Sequence, residues 1–350
     1  MNALRPKVAG EVVKLICSCV RNAPALLDGR EKLAPVNSAP RDGDLVLVRC
    51  LDGKGAYDHV EDETGAAVRL YPGDVFVALL GTRRSGTNLV GEVPDRPLAT
   101  GDRLDLVAQG GLVASCVAVP AYYGSRALPV EVVGFPGNGR ITNIADTPVI
   151  PIIDTGPAPV RTPVLFVCGT SAEVGKTTLV CQLALAAKRC RPELRIAAIK
   201  ACGTGRARDR LHYRDANYDV VTDFVDAGMP STYGVEAGRF RAMLRTLITH
   251  CADRAGLVVV EIGGDLLEAR APEALEVMAE LQAACVLMTN DAMGACDGLR
   301  RLDALGSPPL RIGSLKQNTR SLADRLGVPL ETILETGDPA ACERLVELMV

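Results

Sequence analysis

The sequence predicts an α/β protein in two parts, a smaller β-rich domain followed by a mostly parallel sheet with helices on both faces. Three observations carry that expectation. A proline-dense run interrupts the chain near its middle, short Val- and Leu-rich stretches precede it, and apolar strand-like runs alternate with helical periods after it.

The run "TPVIPIIDTGPAPVRTPV", residues 147–164, carries five prolines. Each removes a backbone donor and disfavours helix at the residue before it. The boundaries drawn from it are a β-rich domain over 1–150, a linker over 151–162 and a second domain over 163–350. Within the first domain, "GDLVLV" from 43, "GDVFVALL" from 73 and "GDRLDLVAQGG" from 101 each place a Gly-Asp turn before an apolar run. They point to strands in a small barrel or sandwich. A leading helix is expected over residues 8–21. The polar stretch 79–94 holds Arg83 and Arg84, which suit a solvated hairpin tip better than an anion site.

In the second domain "PVLFVC" (163–168), "RIAAIK" (195–200), "LVVVEIGG" (257–264) and "ACVLMTN" (284–290) read as buried strands. The first is followed by Leu179, Leu183, Ala186, Ala187 and Cys190, the stripe of one helix face. Ligands of such sheets bind beyond the carboxyl ends of the strands.

Bulk properties exclude several classes. The 350 residues are 48% hydrophobic and 23% charged, which supports packed cores and argues against wholesale disorder. A net charge of -3, 3% aromatics and no Trp give no basis for nucleic acid as a partner. The twelve cysteines include no C-x-x-C pair and mostly sit in apolar runs, as reduced buried residues do. No run approaches the roughly 20 apolar residues of a membrane span, and the first twenty residues lack a signal-like apolar core. The expectation is a cytoplasmic protein with no membrane partner.

The chemistry concentrates in "CGTSAEVGKTTL", residues 168–179. A strand ends, a loop with Gly169 and Gly175 follows, and a helix begins near Lys176. Successive backbone N–H groups in such a loop converge on an anion, and the helix N-terminus adds donors and partial positive charge. This predicts a phosphate-binding loop of Gly169, Thr170, Ser171, Ala172, Glu173, Val174, Gly175, Lys176, Thr177 and Thr178. Lys176 would reach the β- and γ-phosphates and Thr177 would ligate Mg²⁺. The fold class is therefore a P-loop NTPase. Glu261, at the end of "LVVVE" and before two glycines, is the candidate acid for the metal. Lys200, at the end of "RIAAIK", is a candidate catalytic cation. Of Asp209, Asp215, Asp219 and Asp223, one is expected to approach Mg²⁺ or to orient a substrate amine; Asp209, the further metal candidate, and Asp215 lie nearest the strand end, while Asp219 and Asp223 look helical. His212 reads as a surface residue. Asn290 and Asn318 each offer an amide suited to reading a base.

Five residues separate the two glycines, one more than in the common loop. "GTSAEVGKT" resembles the loop of the dethiobiotin synthetases, as do Lys200 with Thr204-Gly205 and the "VVEIGGDL" run around Glu261. The matches cover about residues 163–270. "GTGRARDRLHYRDANYDVVTDFVDAGMPSTYG" is similar to the domain-of-unknown-function 1611 family, which includes DgcN-like proteins, also β-rich before a P-loop half. The matching positions are Asp219, Val220, Asp223, Phe224 and Gly228. Dethiobiotin synthetases lack such an N-terminal domain. The resemblances imply ATP and Mg²⁺ as cofactors, phosphorylation of a carboxylate or carbamate of a small amino-acid-like substrate for amide, ring or ureido closure, and a homodimer. Two alternatives accompany them: a nucleotide-hydrolysing switch or chaperone partnering another protein, and a DgcN-like acyl-group enzyme of amino-acid metabolism. Thr170 and Ser171 stand where switch-type proteins of this class carry an extra lysine, which favours the small-molecule enzyme.

Overall fold

In a computed structural model of the chain, the three Gly-Asp turns launch three strands in the same way. Gly43, Gly73 and Gly101 have φ of 90°, 89° and 92°, a conformation that other residues adopt at a cost. The N–H groups of Asp44, Asp74 and Asp102 return to the carbonyls of Arg41, Tyr71 and Ala99 at 3.1, 3.0 and 3.1 Å. Each aspartate carboxylate then accepts the N–H of that same residue at 2.8 Å. The structure describes all residues except 1–6, 9, 23–32, 34–38, 125, 138–139, 147, 155 and 157–158.

The first unit comprises Met1–Pro151 together with Gly203–Arg208 and Phe224–Val235. Its main strands are β1 (Leu15–Ile16), β2 (Leu45–Cys50), β3 (Val75–Leu80), β4 (Arg103–Ala108), β5 (Leu112–Ala118) and β6 (Leu128–Gly134). They pair antiparallel in the order β3–β2–β6–β4–β5. The ring closes where β5 runs parallel to β3, with Leu112 opposite Leu79. β1 adds alongside β3. The barrel interior is apolar, and side chains such as Phe76, Leu45, Leu47, Leu79 and Phe135 are fully buried. Each such side chain contributes about 1.5–3 kcal/mol.

The leading helix is not there. The described residues of 7–21 form the strand pair Lys7–Val8 and Glu11–Val12, then β1, then a single 3₁₀ turn over Ser18–Val20. Gly10, at φ 86°, turns the first pair back on itself. The open edge of β3 takes the next segment, through Lys14 N–H to the Val75 carbonyl and Cys17 N–H to the Val77 carbonyl. Valine-rich residues beside an unpaired edge gain more from the ladder than from a helix with no clear apolar stripe. Nor is Arg83 at a solvated tip. It is buried, donating to the Tyr57 hydroxyl at 3.1 Å and the Val107 carbonyl at 2.5 Å, while Arg84 forks onto Glu92.

One buried acid organises part of this unit. Glu61 is 4% exposed. It receives Nε and Nη2 of Arg206 at 2.8 and 2.6 Å, the Ala207 N–H at 2.9 Å and the Ser18 hydroxyl at 3.1 Å. Both carboxylate oxygens are thereby saturated.

The second unit comprises Ile152–Cys202, Asp209–Asp223 and Glu236–Val350. In chain order its elements are β7 (Val164–Gly169), α1 (Lys176–Cys190), β8 (Ile196–Lys200), α2 (Ala207–Asp215), β9 (Val220–Asp223), α3 (Ala237–Ala252), β10 (Leu257–Glu261), α4 (Ala271–Glu280), β11 (Ala284–Met288), α5 (Ala292–Ala304), β12 (Arg311–Gly313), α6 (Thr319–Leu326), β13 (Ile333–Leu334) and α7 (Pro339–Met349). The first residues of α2, Ala207 and Arg208, belong to the first unit. Among the described residues the strands form one parallel sheet in the order β9–β8–β10–β7–β11–β12–β13. β7 lies at its centre, and the chain builds outward from it in both directions. This is the P-loop NTPase fold, with a β-barrel unit formed largely by the preceding residues.

Two sequence expectations change here. Asp219 and Asp223 are not helical: Asp219 precedes β9 and Asp223 is its last residue, after a Val-Val-Thr run that prefers the pleated state. And 163–350 is not one unit, because 203–208 and 224–235 pack with the barrel. Residues 155, 157 and 158 of the expected linker lie outside the described residues.

Candidate phosphate-binding site

The loop between β7 and α1 leaves the sheet at Gly169 and enters the helix at Lys176. Glu173 and Gly175 both have positive φ, 59° and 95°, with Val174 between them. Alternating backbone handedness of this kind turns successive N–H groups toward one side, the arrangement of an anion nest. A side chain on Gly175 would also collide with Leu315. Val174 is buried in the core and serves as the anchor of the loop, so only its backbone is available to a ligand. The Thr170 hydroxyl lies 3.2 Å from that of Thr289.

Lys176 is 5% exposed. Its ammonium arcs back over the loop, donating to the Ser171 carbonyl at 2.9 Å and the Gly264 carbonyl at 2.5 Å. Burial pushes its pKa below the ordinary lysine range, and the charge of Glu261 opposes that shift. An ammonium held only by neutral carbonyls in such a place gains much from an incoming polyanion.

Glu261 ends β10 and is 1% exposed. Its Oε1 accepts the Thr177 hydroxyl at 3.0 Å and the Lys200 ammonium at 2.5 Å. Its Oε2 accepts the Tyr213 hydroxyl at 2.5 Å. Lys200 also pairs with Asp209 at 2.8 Å. Burial alone would lower the Lys200 pKa, but Asp209 and Glu261 overcome it and hold the ammonium well above its usual range. Burial disfavours the thiolate at the nearby cysteines, pushing Cys202 up to about 12 and Cys181, aided by Glu261, up to about 11.

Of the residues singled out in the sequence, Thr177, Lys200, Asp209 and Glu261 form one connected network at the carboxyl ends of β8 and β10, and Lys176 sits over the loop beside it. Asp215 is exposed at the end of α2. Asp219 is structural, bonded to Lys188 and to the Ile196 N–H, each at 2.8 Å. Asp223 is buried, opposite Lys200 in the ladder. His212 is exposed. Asn318 caps α6 through the Ser321 N–H, which engages the amide oxygen needed for base reading. Asn290 donates to the Ser171 hydroxyl at 3.4 Å, beside the loop. Tyr213 is the residue that sequence reasoning missed. The available signal was its position four after Asp209, which puts both on one helix face.

Magnesium takes oxygen ligands and keeps waters and phosphate oxygens among them, so it needs few protein donors. Adjacent ligands of an octahedron at about 2.0–2.1 Å from the metal lie about 2.9 Å apart. The 3.0 Å between Thr177 Oγ1 and Glu261 Oε1 matches that spacing. These two oxygens fit the ion; Asp209, paired with Lys200, stands beside them.

No family model and no curated sequence matches the chain. Solved structures similar to it include a ParA-family ATPase from Chlorobium tepidum, at 10% identity over 53% of this chain and 91% of that one, with a TM-score of 0.33. A domain-of-unknown-function 1611 family protein from Anabaena variabilis matches at 11% identity over 54% of this chain and 58% of that one, with a TM-score of 0.38. The hydrogenase maturation factor HypB from Archaeoglobus fulgidus matches at 18% identity over 53% of this chain and 76% of that one, with a TM-score of 0.30. These likenesses concern the fold and not activity, and the dethiobiotin-synthetase resemblance rests on the sequence motifs alone. Among the described residues no helix is long and apolar enough to cross a membrane.

Proposed function

We propose that this protein is an ATP- and Mg²⁺-dependent enzyme that phosphorylates a carboxylate or carbamate of a small amino-acid-like substrate. The γ-phosphoryl group passes to the acceptor oxygen, ADP leaves, and an amine then displaces phosphate to close an amide, ring or urea. Phosphoryl transfer asks for charge neutralisation and positioning more than for covalent chemistry. The observation that supports the reading is the convergence of Thr177, Lys200 and Glu261 beside the Lys176-capped loop.

Each residue has a separate task. The loop amides and Lys176 hold the β- and γ-phosphates. Thr177 and Glu261 would hold Mg²⁺, which would supply charge neutralisation for the phosphates during transfer. Lys200, held between Glu261 Oε1 and Asp209, would stay tethered to Asp209 with the metal in place and offer its charge to the acceptor carboxylate.

Calorimetry with MgATP and MgGTP, paired with phosphate release in the presence of carboxylates, amines and bicarbonate, tests this. The expected result is nucleotide uptake and acceptor-stimulated turnover, with Lys200→Met keeping uptake and losing stimulation. Failure of uptake sinks the proposal. Hydrolysis indifferent both to acceptors and to Lys200→Met would point instead to a nucleotide switch.

A further inference from the structure

Tyr213 is the group at the nucleotide site that phosphate binding does not explain. It lies one helical turn past Asp209 on α2, so a single face of that helix supplies an anion to Lys200 at 2.8 Å and a hydroxyl to Glu261 at 2.5 Å. The side chain is fully buried. A neutral tyrosine hydroxyl carries one donor, and here it is spent on Glu261 Oε2.

The two oxygens of Glu261 are thus treated differently. Oε1 faces Thr177 and Lys200, and Oε2 faces only Tyr213 among the bonds described. A carboxylate on a flexible stem has two equivalent oxygens, and a neighbouring ammonium attracts both. Without a donor on Oε2, the group is free to rotate and present both oxygens to Lys200, which places the ammonium in competition with a metal.

Building on the function proposed above, we propose that Tyr213 is a positioning residue for the metal: its hydroxyl occupies Oε2, fixes the rotation of Glu261 and keeps Oε1 turned toward Thr177. Groups that orient a metal ligand in this way commonly govern metal affinity by 10- to 100-fold.

Tyr218 provides the control. Its ring packs edge-on against Tyr213 with centroids 6.0 Å apart, it is similarly buried, and its hydroxyl donates to the Val180 carbonyl at 2.8 Å rather than to Glu261. Tyr213→Phe and Tyr218→Phe each remove one buried hydroxyl from the same aromatic pair. The experiment follows binding of a fluorescent ATP analogue to the full chain while Mg²⁺ is titrated, with metal-free binding in EDTA as the reference. For Tyr213→Phe the half-saturating Mg²⁺ concentration rises about tenfold while metal-free binding is unchanged. For Tyr218→Phe neither moves. Superimposable titrations of Tyr213→Phe and the unaltered chain overturn the assignment while leaving nucleotide binding intact, as does an equal shift in Tyr218→Phe. No Mg²⁺-dependent uptake by the unaltered chain overturns the function proposed above and this assignment together.

Discussion

Glu61 in the barrel unit and Glu261 in the sheet unit are both buried acids whose two oxygens are both engaged, yet their partners differ in kind. Glu61 meets a guanidinium fork and a backbone N–H, groups that can only donate, with one serine hydroxyl beside them. Glu261 meets two hydroxyls, which can reverse their sense, and one lysine on a flexible stem. The first arrangement is locked and the second can be exchanged. A buried carboxylate is therefore not by itself a sign of chemistry. What separates the two is whether the partners can yield to a ligand.

Three outcomes would break or sharpen that contrast. The largest concerns Lys176, whose ammonium rests on carbonyls a polyanion can replace. Lys176→Ala is expected to weaken MgATP binding at least about 100-fold, roughly 3 kcal/mol, with the melting curve preserved. Retained affinity in calorimetry would remove the loop from the site.

Next is the pair Glu61→Gln and Glu261→Gln, compared by urea denaturation. A glutamine at 61 must turn an NH₂ toward either Arg206 or the Ala207 N–H, and a cost of about 2–3 kcal/mol is expected. At 261 the hydroxyls of Thr177 and Tyr213 can reorient to accept and Lys200 keeps Asp209, so a smaller cost of about 1–2 kcal/mol is expected. Equal costs would erase the distinction.

The smallest effect belongs to Asp219, next to the sheet but outside the site. Burial opposes its ionisation, but Lys188 and the Ile196 N–H outweigh it and hold its pKa below the usual aspartate value. A carboxylate with a depressed folded pKa stabilises above the unfolded value, and that gain fades as pH falls through the folded one. Asp219→Asn is thus expected to be slightly less stable than the unaltered chain at neutral pH, and the gap to close below about pH 3.9. A gap that persists in acid would assign the loss to packing.

Much of the parallel sheet was legible because buried central strands are continuous apolar runs with Gly-rich punctuation: β7, β8, β10 and β11 fall where the sequence placed them. β9 escaped notice because its four residues end in Thr-Asp and follow a polar helix. The misplaced helix over 8–21 shows a different limit. Its residues have no decisive period of their own, and an unpaired edge some sixty residues further along decides their state. Within the site, Lys176, Thr177, Lys200 and Glu261 could be named because each stands at an element end with a recognisable neighbour. Tyr213 could not, since a single tyrosine in a charged helix looks like packing until Glu261 is placed against it.

The trace of the chain between the two units sets terms for anyone who wishes to dissect the molecule. The path changes unit at 151, 202, 208, 223 and 235, so no single cut yields two self-sufficient fragments. A fragment beginning at Ile152 would carry 203–208 and 224–235 away from the barrel residues they fold with. Truncation, circular permutation and tag insertion near the prolines must therefore retain both excursions together with residues up to Pro151, and a swap of one half for a homologous half would have to transplant three separate stretches at once.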